Sequence, residues 1–142
     1  MNLAGKLSGV LIAVLLVFVT QDRAGAAETS PAAKQSVAGG GVTVAVTFLT
    51  FLQERADRPT FQVVLDTHSV NLDSYRFEDI VRLRDGKGGE VAPVAVEGVK
   101  GSGHHREATV RFVWPDPKLN NLELVVRGVA GVSERTFRWP VQ

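Results

Sequence analysis

The sequence predicts an all-β domain built from two packed antiparallel sheets, and three observations carry that expectation. Apolar residues alternate with polar ones at period two in seven separate runs after Gly41, as they do in strands with one face buried. Short segments rich in Gly, Pro, Asp and Asn separate the runs. Only one segment, "LDSYRFEDIV", could form a helix, a single turn capped by Asp73.

In chain order, residues 1–26 come first. Lys6 precedes an unbroken apolar run of ten residues, Val10 to Val19, and "AGA" follows at Ala24 to Ala26. A bilayer span needs about 20 residues, so the run reads as a secretory signal cut after Ala26 or Ala27. Left uncut, the same segment would anchor the chain to a membrane. Residues 27–40, "AETSPAAKQSVAGG", are small and polar and read as a flexible linker. A domain over residues 41–142 then begins with Val42, Val44, Val46 and Phe48 on one face. Later strands follow with Phe61, Val63 and Leu65; Val81 and Leu83; and Val94 and Val96. Ala108, Val110, Phe112 and Trp114 form the next, then Leu122, Leu124 and Val126, and finally Phe137, Trp139 and Val141. The connections are "ERADRP", "DGKGG", "GSG", "PDPKLNN" and "GVAG", of which "DGKGGE" is the clearest hairpin. Seven strands at this spacing predict a seven-stranded immunoglobulin-like β-sandwich. A small, partly closed barrel is the alternative. Arg82, Arg84, Arg111, Glu123, Arg135 and Arg138 are expected on solvated outer faces, and Trp114 and Trp139 in the core or at its rim.

Composition narrows the function. Without residues 1–26, which hold Lys6, Arg23 and Asp22, the chain has 14 basic and 14 acidic side chains. That balance argues against nucleic acid or an anionic membrane as the main partner. An exported domain without cysteine must be held by its core rather than by disulfides. The expected location is periplasmic or secreted. There is no phosphate loop, no His-Glu-x-x-His and no G-x-S-x-G elbow. Ser69 or Ser102 beside a histidine, or Asp66 with Asp73, are the only catalytic groupings that can be drawn, and neither outweighs a reading without enzymatic activity.

The chain has three histidines: His68 in "LDTHS", and the adjacent pair His104 and His105 in "GSGHHRE". With strands running alternately up and down, the second strand ends at the pole where the fifth begins. In an immunoglobulin-like order those two strands are neighbours. The 36 residues from His68 to His104 are therefore expected to close, gathering Asp66, Asp73, Arg106 and "GVAGVS" at one pole. Three readings of that cluster stand side by side. It could bind Cu or Zn through His68, His104 and His105, with Asp66 or Asp73. It could be a polar lock between two strands. It could be a contact patch, including Arg106, for an envelope protein or small ligand. Adjacent strand residues face opposite ways, so His104 and His105 can share a metal only if the turn twists between them.

The strings "FQVVLDTHSVNLDSY", "LRDGKGGEVAPVAVEG", "GSGHHREATVRF" and "LELVVRGVAGVSERTFRWPV" resemble a family of small exported bacterial proteins carrying LDTHS, GGHHR and FRW elements. The resemblance covers residues 41–142 and implies a β-sandwich at the envelope, with "LDTHS" and "GHHR" acting as one unit. It implies no reaction. This chain has Ser102 where the family string has a second glycine, and "VAVEG" where the family has a PLxWEG pattern with tryptophan.

Overall fold

A computed structural model describes residues 33–50, 58–114 and 120–140. The expected signal segment and residues 27–32 of the expected linker lie outside the described residues. The elements are β1 (Lys34–Gly39), β2 (Val42–Phe48), β3 (Thr60–Thr67), α1 (Phe77–Ile80), β4 (Val81–Arg84), β5 (Glu90–Val91), β6 (Ala95–Ser102), β7 (His105–Arg111), β8 (Asn121–Val129) and β9 (Val132–Pro140). The chain is nearly all β, in two antiparallel sheets. One has the order β1-β2-β3-β7-β6 and the other β5-β4-β8-β9.

Period-two patterning accounts for the core. Val42, Val44, Val46 and Phe48 of β2 are buried, as are Phe61, Val63 and Leu65 of β3 and Ala108 and Val110 of β7. From the other sheet come Val81, Leu83, Leu122, Leu124, Val126, Phe137 and Trp139. Aromatic rings bridge the two sheets. Phe48 stacks on Phe61 with centroids 4.8 Å apart, and Trp139 lies 5.6 Å and 5.3 Å from those two rings. Phe112 meets Phe61 edge-on at 6.0 Å, an arrangement favoured by the ring quadrupoles. Trp114, by contrast, is half-buried at the rim of this core.

Nine strands are described where seven were expected, and the two additions have physical causes. Residues 34–39, expected as linker, form β1, paired along its whole length with β2. The cue is the pair Gly40 and Gly41, with φ of 59° and 78°, which are the left-handed angles a two-residue hairpin requires. Being polar and short of buried residues, β1 carries no strong periodic signal. It is held from the other sheet by side chains: Gln35 Nε2 donates to the Arg138 carbonyl at 2.6 Å, and Trp139 Nε1 to the Ala33 carbonyl at 3.2 Å. The expected strand "VAPVAVE" divides in two. Its start is β5 in one sheet, its end is β6 in the other, and Pro93, which has no N–H to donate, lies in the crossing. Val94 is consequently 52% exposed rather than part of the core.

Arg135 also departs from expectation, being 2% exposed rather than on the outer face. It shares the parity of Phe137 and Trp139 along β9, so it points inward with them. Its Nη2 donates to the Gly39 carbonyl at 2.5 Å and its Nη1 to the Val129 carbonyl at 3.1 Å, while Nε has no partner. Burial pushes its pKa down from the ordinary guanidinium value, against an opposing contribution from Tyr75.

The glycine hairpin gives a test. A methyl group on Gly40 would overlap the backbone carbonyl of Ala130, whereas one on Gly103, also at positive φ, would meet nothing. Gly103→Ala should therefore cost only the left-handed backbone penalty, about 1–2 kcal/mol. Gly40→Ala should cost measurably more in urea unfolding, because the β8–β9 turn must move as well.

The outward face of the four-stranded sheet is covered by an ion-pair network. Arg84 contacts Glu90, Glu123 and Glu134; Arg127 bridges Glu90 and Glu134; Arg138 pairs with Glu123. Desolvation raises the pKa of Glu134. Hydrogen bonds from Arg84 and Thr136, with the charges of Arg84 and Arg127, outweigh it and hold the carboxyl below its ordinary 4.5. A carboxylate depressed in the folded state adds stability that is complete above its unfolded pKa. That stability is lost as pH falls through the folded value. Thermal melts on acid titration should show this loss, and it should be smaller in Glu134→Gln.

Candidate functional site

Four chain segments meet at one pole: the β1–β2 turn, residues 68–76 after β3, the β6–β7 turn and the β8–β9 turn. The β3–β7 register places Asp66 opposite His105, so "LDTHS" and "GSGHHR" are neighbours in space as expected. Thr67 is the buried hinge of the first element. Its hydroxyl donates to the Gly41 carbonyl at 2.6 Å and accepts from the amides of Ser69 and Val70, each at 3.2 Å. Its own amide donates to the His104 carbonyl at 3.0 Å. Thr67 thus ties three of the four segments together: its hydroxyl, which both donates and accepts, joins two of them, and its main-chain amide joins the third.

The next residues wrap the β6–β7 turn. Asn71 Oδ1 accepts from the Asp73 amide at 2.8 Å, a local turn of the kind Asn favours. Leu72 N–H donates to the Gly103 carbonyl, and Gly103 N–H donates to Asp73 Oδ1, both at 2.8 Å. Asp73 therefore secures a neighbouring turn and does not cap α1, whose N-cap position is Arg76 with no side-chain cap. Within the turn itself, Gly101 has φ of 80° and no room for a methyl group beside the His105 carbonyl. Ser102 is not among the positive-φ residues, and it pairs with His105 in the β6–β7 register. A residue with a side chain is accommodated at position 102 for that reason.

Arg106, expected in a contact patch, is turned inward. Its Nη1 lies 2.6 Å from the Tyr75 carbonyl, 3.1 Å from that of Leu72 and 3.2 Å from that of Asp73. The guanidinium carbon sits 5.6 Å from the centroid of the Phe77 ring, within cation–π range. Tyr75 completes the lock: its hydroxyl accepts from the Ala130 amide at 2.9 Å. Ala130 is the one non-glycine among the described residues with positive φ, 52°. Neither Tyr75 nor Ala130 stands out in the sequence, because a hydroxyl reaching a backbone amide 55 residues away leaves no local pattern.

Above this lock stand the histidines. His68, His104 and His105 are all exposed, as are Asp66 and Asp73. His105 Nδ1 is 3.8 Å from Asp66 Oδ1, too long for a hydrogen bond and an ion pair only when the imidazole is protonated. Among the described residues, no three His, Asp or Glu side chains stand as a ready-made metal-binding group. The arrangement sets Asp66 beside His105 and hydrogen-bonds Asp73 to Gly103. It leaves the side chains of His104 and His105 on a tight turn whose backbone is fixed from beneath.

No protein-family model, curated protein or solved structure matches the chain.

Proposed function

We propose that the protein is a non-enzymatic binding or accessory module of the bacterial cell envelope, exported by residues 1–26, with the histidine-bearing pole as its working surface. The strand order supports an immunoglobulin-like assignment. The run β2-β3-β7-β6 follows the A-B-E-D order and β4-β8-β9 the C-F-G order. On this reading β1 and β5 are extra edge strands. The LDTHS, GHHR and FRW elements fit the resemblance to small exported bacterial proteins.

The observation that carries the reading is the locked pole. Arg106, Thr67, Asp73 and Tyr75 direct their polar groups at backbone atoms of adjoining turns. The exposed imidazoles of His68, His104 and His105 are thereby presented on fixed backbone. A surface already ordered before contact loses less entropy on binding.

A photo-crosslinking side chain at position 104, in the full chain expressed in cells, tests this. It should capture an envelope partner, and one at position 113, beyond the far end of β7, should not. Equal capture at both positions, or none at 104, contradicts the assignment. N-terminal sequencing of the same material should give a start after Ala26 or Ala27.

A further inference from the structure

Two unfavourable features meet at the base of the pole. Arg135 is only 2% exposed, yet among the described residues its bonds go to two carbonyls and to no carboxylate. Its Nε–H has no partner at all. Taking a charge out of water is unfavourable unless an opposite charge and a full set of hydrogen bonds offset it. Arg135 also shares the inward parity of Phe137 and Trp139, so core filling alone calls for an apolar side chain there. One residue beyond the Val129 carbonyl that it binds, Ala130 holds a left-handed φ of 52°, which glycine adopts without strain. Strained backbone and unmet buried donors gather where a fold gives up stability to hold something in place.

What is held here is the contact between two hairpin turns. Gly39 and Val129 occupy the same place in their hairpins, each the last residue of its strand before a two-residue turn. Gly40 and Gly41 have φ of 59° and 78°, Ala130 and Gly131 of 52° and 74°, so the two turns share one backbone form. Arg135 spans them, with Nη2 on the Gly39 carbonyl and Nη1 on that of Val129. The rigid fork of a guanidinium can reach both acceptors at once, where an ammonium is a single point. The turns touch so closely that a methyl group on Gly40 would overlap the Ala130 carbonyl. Order passes upward from this contact. The Gly41 carbonyl accepts from the Thr67 hydroxyl, which accepts in turn from the amides of Ser69 and Val70. The Ala130 amide donates to Tyr75.

We propose that Arg135 is a positioning residue for the histidine-bearing pole. It is a strut that locks the β1–β2 and β8–β9 turns together and, through Thr67, fixes the backbone around His68, at a net loss of global stability. The inference rests on the pole being the working surface and names the buried group that keeps that surface in shape.

Arg135→Met tests it, since it removes the charge and both carbonyl bonds but keeps an unbranched apolar chain. Urea unfolding should show the variant no less stable than the parent, because an apolar side chain in place of a buried charge is often neutral or stabilising. Hydrogen exchange should move the other way. The amides of Ser69, Val70 and Ala130 should exchange at least about tenfold faster, the scale of one lost hydrogen bond, while Val63 and Val110 stay as slow as in the parent. Capture by a crosslinker at position 104 should fall in step. A variant that unfolds at clearly lower urea, or does not fold, makes Arg135 a net stabiliser and overturns the proposal. Unchanged exchange at the three amides overturns it too. Crosslinking separates this inference from the reading beneath it: no capture from position 104 in the parent removes the working surface, while unfolding and exchange still decide whether Arg135 is a strut.

Discussion

Replacing Trp139 by alanine should lower the stability of the domain by about 3–5 kcal/mol, the usual range for removing a buried tryptophan. Trp139 is fully buried, touches the rings of Phe48, Phe61 and Phe137, and so contacts both sheets at once. Its indole N–H also donates to Ala33, just before β1. Domains of this size are stable by only about 5–15 kcal/mol, so the variant should sit close to its unfolding midpoint in mild denaturant. Trp139→Phe keeps most of the ring packing and loses the indole donor. It should fall between parent and alanine variant in urea unfolding. A Trp139→Ala variant as stable as the parent would mean that the two sheets do not share this core.

Arg106→Ala should cost about 2–4 kcal/mol, since hydrogen bonds to a charged donor are each worth about 1.5–3 kcal/mol net. The loss falls below the sum of the contacts because water replaces part of the hydrogen bonding at this partly exposed rim. Carbonyls of Leu72, Asp73 and Tyr75 lose their common donor, and Phe77 loses the cation above it. The effect should be local as well as global. Segment 68–76 should loosen first, visible as new protease cleavage there before the sheets unfold. Arg106→Lys retains the charge but not the planar guanidinium, and should recover only part of the loss.

The sequence made the sheets legible because alternation records burial directly: Val42 to Phe48 and Phe61 to Leu65 are buried as read. It made the neighbourhood of the pole legible too, since alternating strand direction brings His68 and His105 to the same end. What escaped is what period two does not encode. Strand β1 is stabilised by a glycine turn and by side chains of β9, so its own residues resemble a linker. The change of sheet at Pro93 leaves the valine pattern running unbroken across two different strands. Charge alone puts Arg135 on the outer face, whereas its parity with Phe137 and Trp139 places it inside. Arg106 is expected from the sequence in a contact patch, and Asp73 as the cap of a helical turn or a carboxylate beside a metal. Their partners are main-chain atoms of segments 30 or 31 residues distant, and only the fold reveals those.

The central claim is that "LDTHS" and "GSGHHR" form one locked unit beneath the exposed histidines. Amide hydrogen exchange measures it most directly, because the lock consists of named N–H groups. The amides of Thr67, Leu72, Gly103 and Ala130 should be protected in the parent. In Arg106→Ala, Leu72 and Gly103 should exchange much faster while Val63 and Val110 in the sheet stay slow. If Leu72 and Gly103 exchange in the parent as freely as an unstructured loop, the pole is not locked and the account is contradicted.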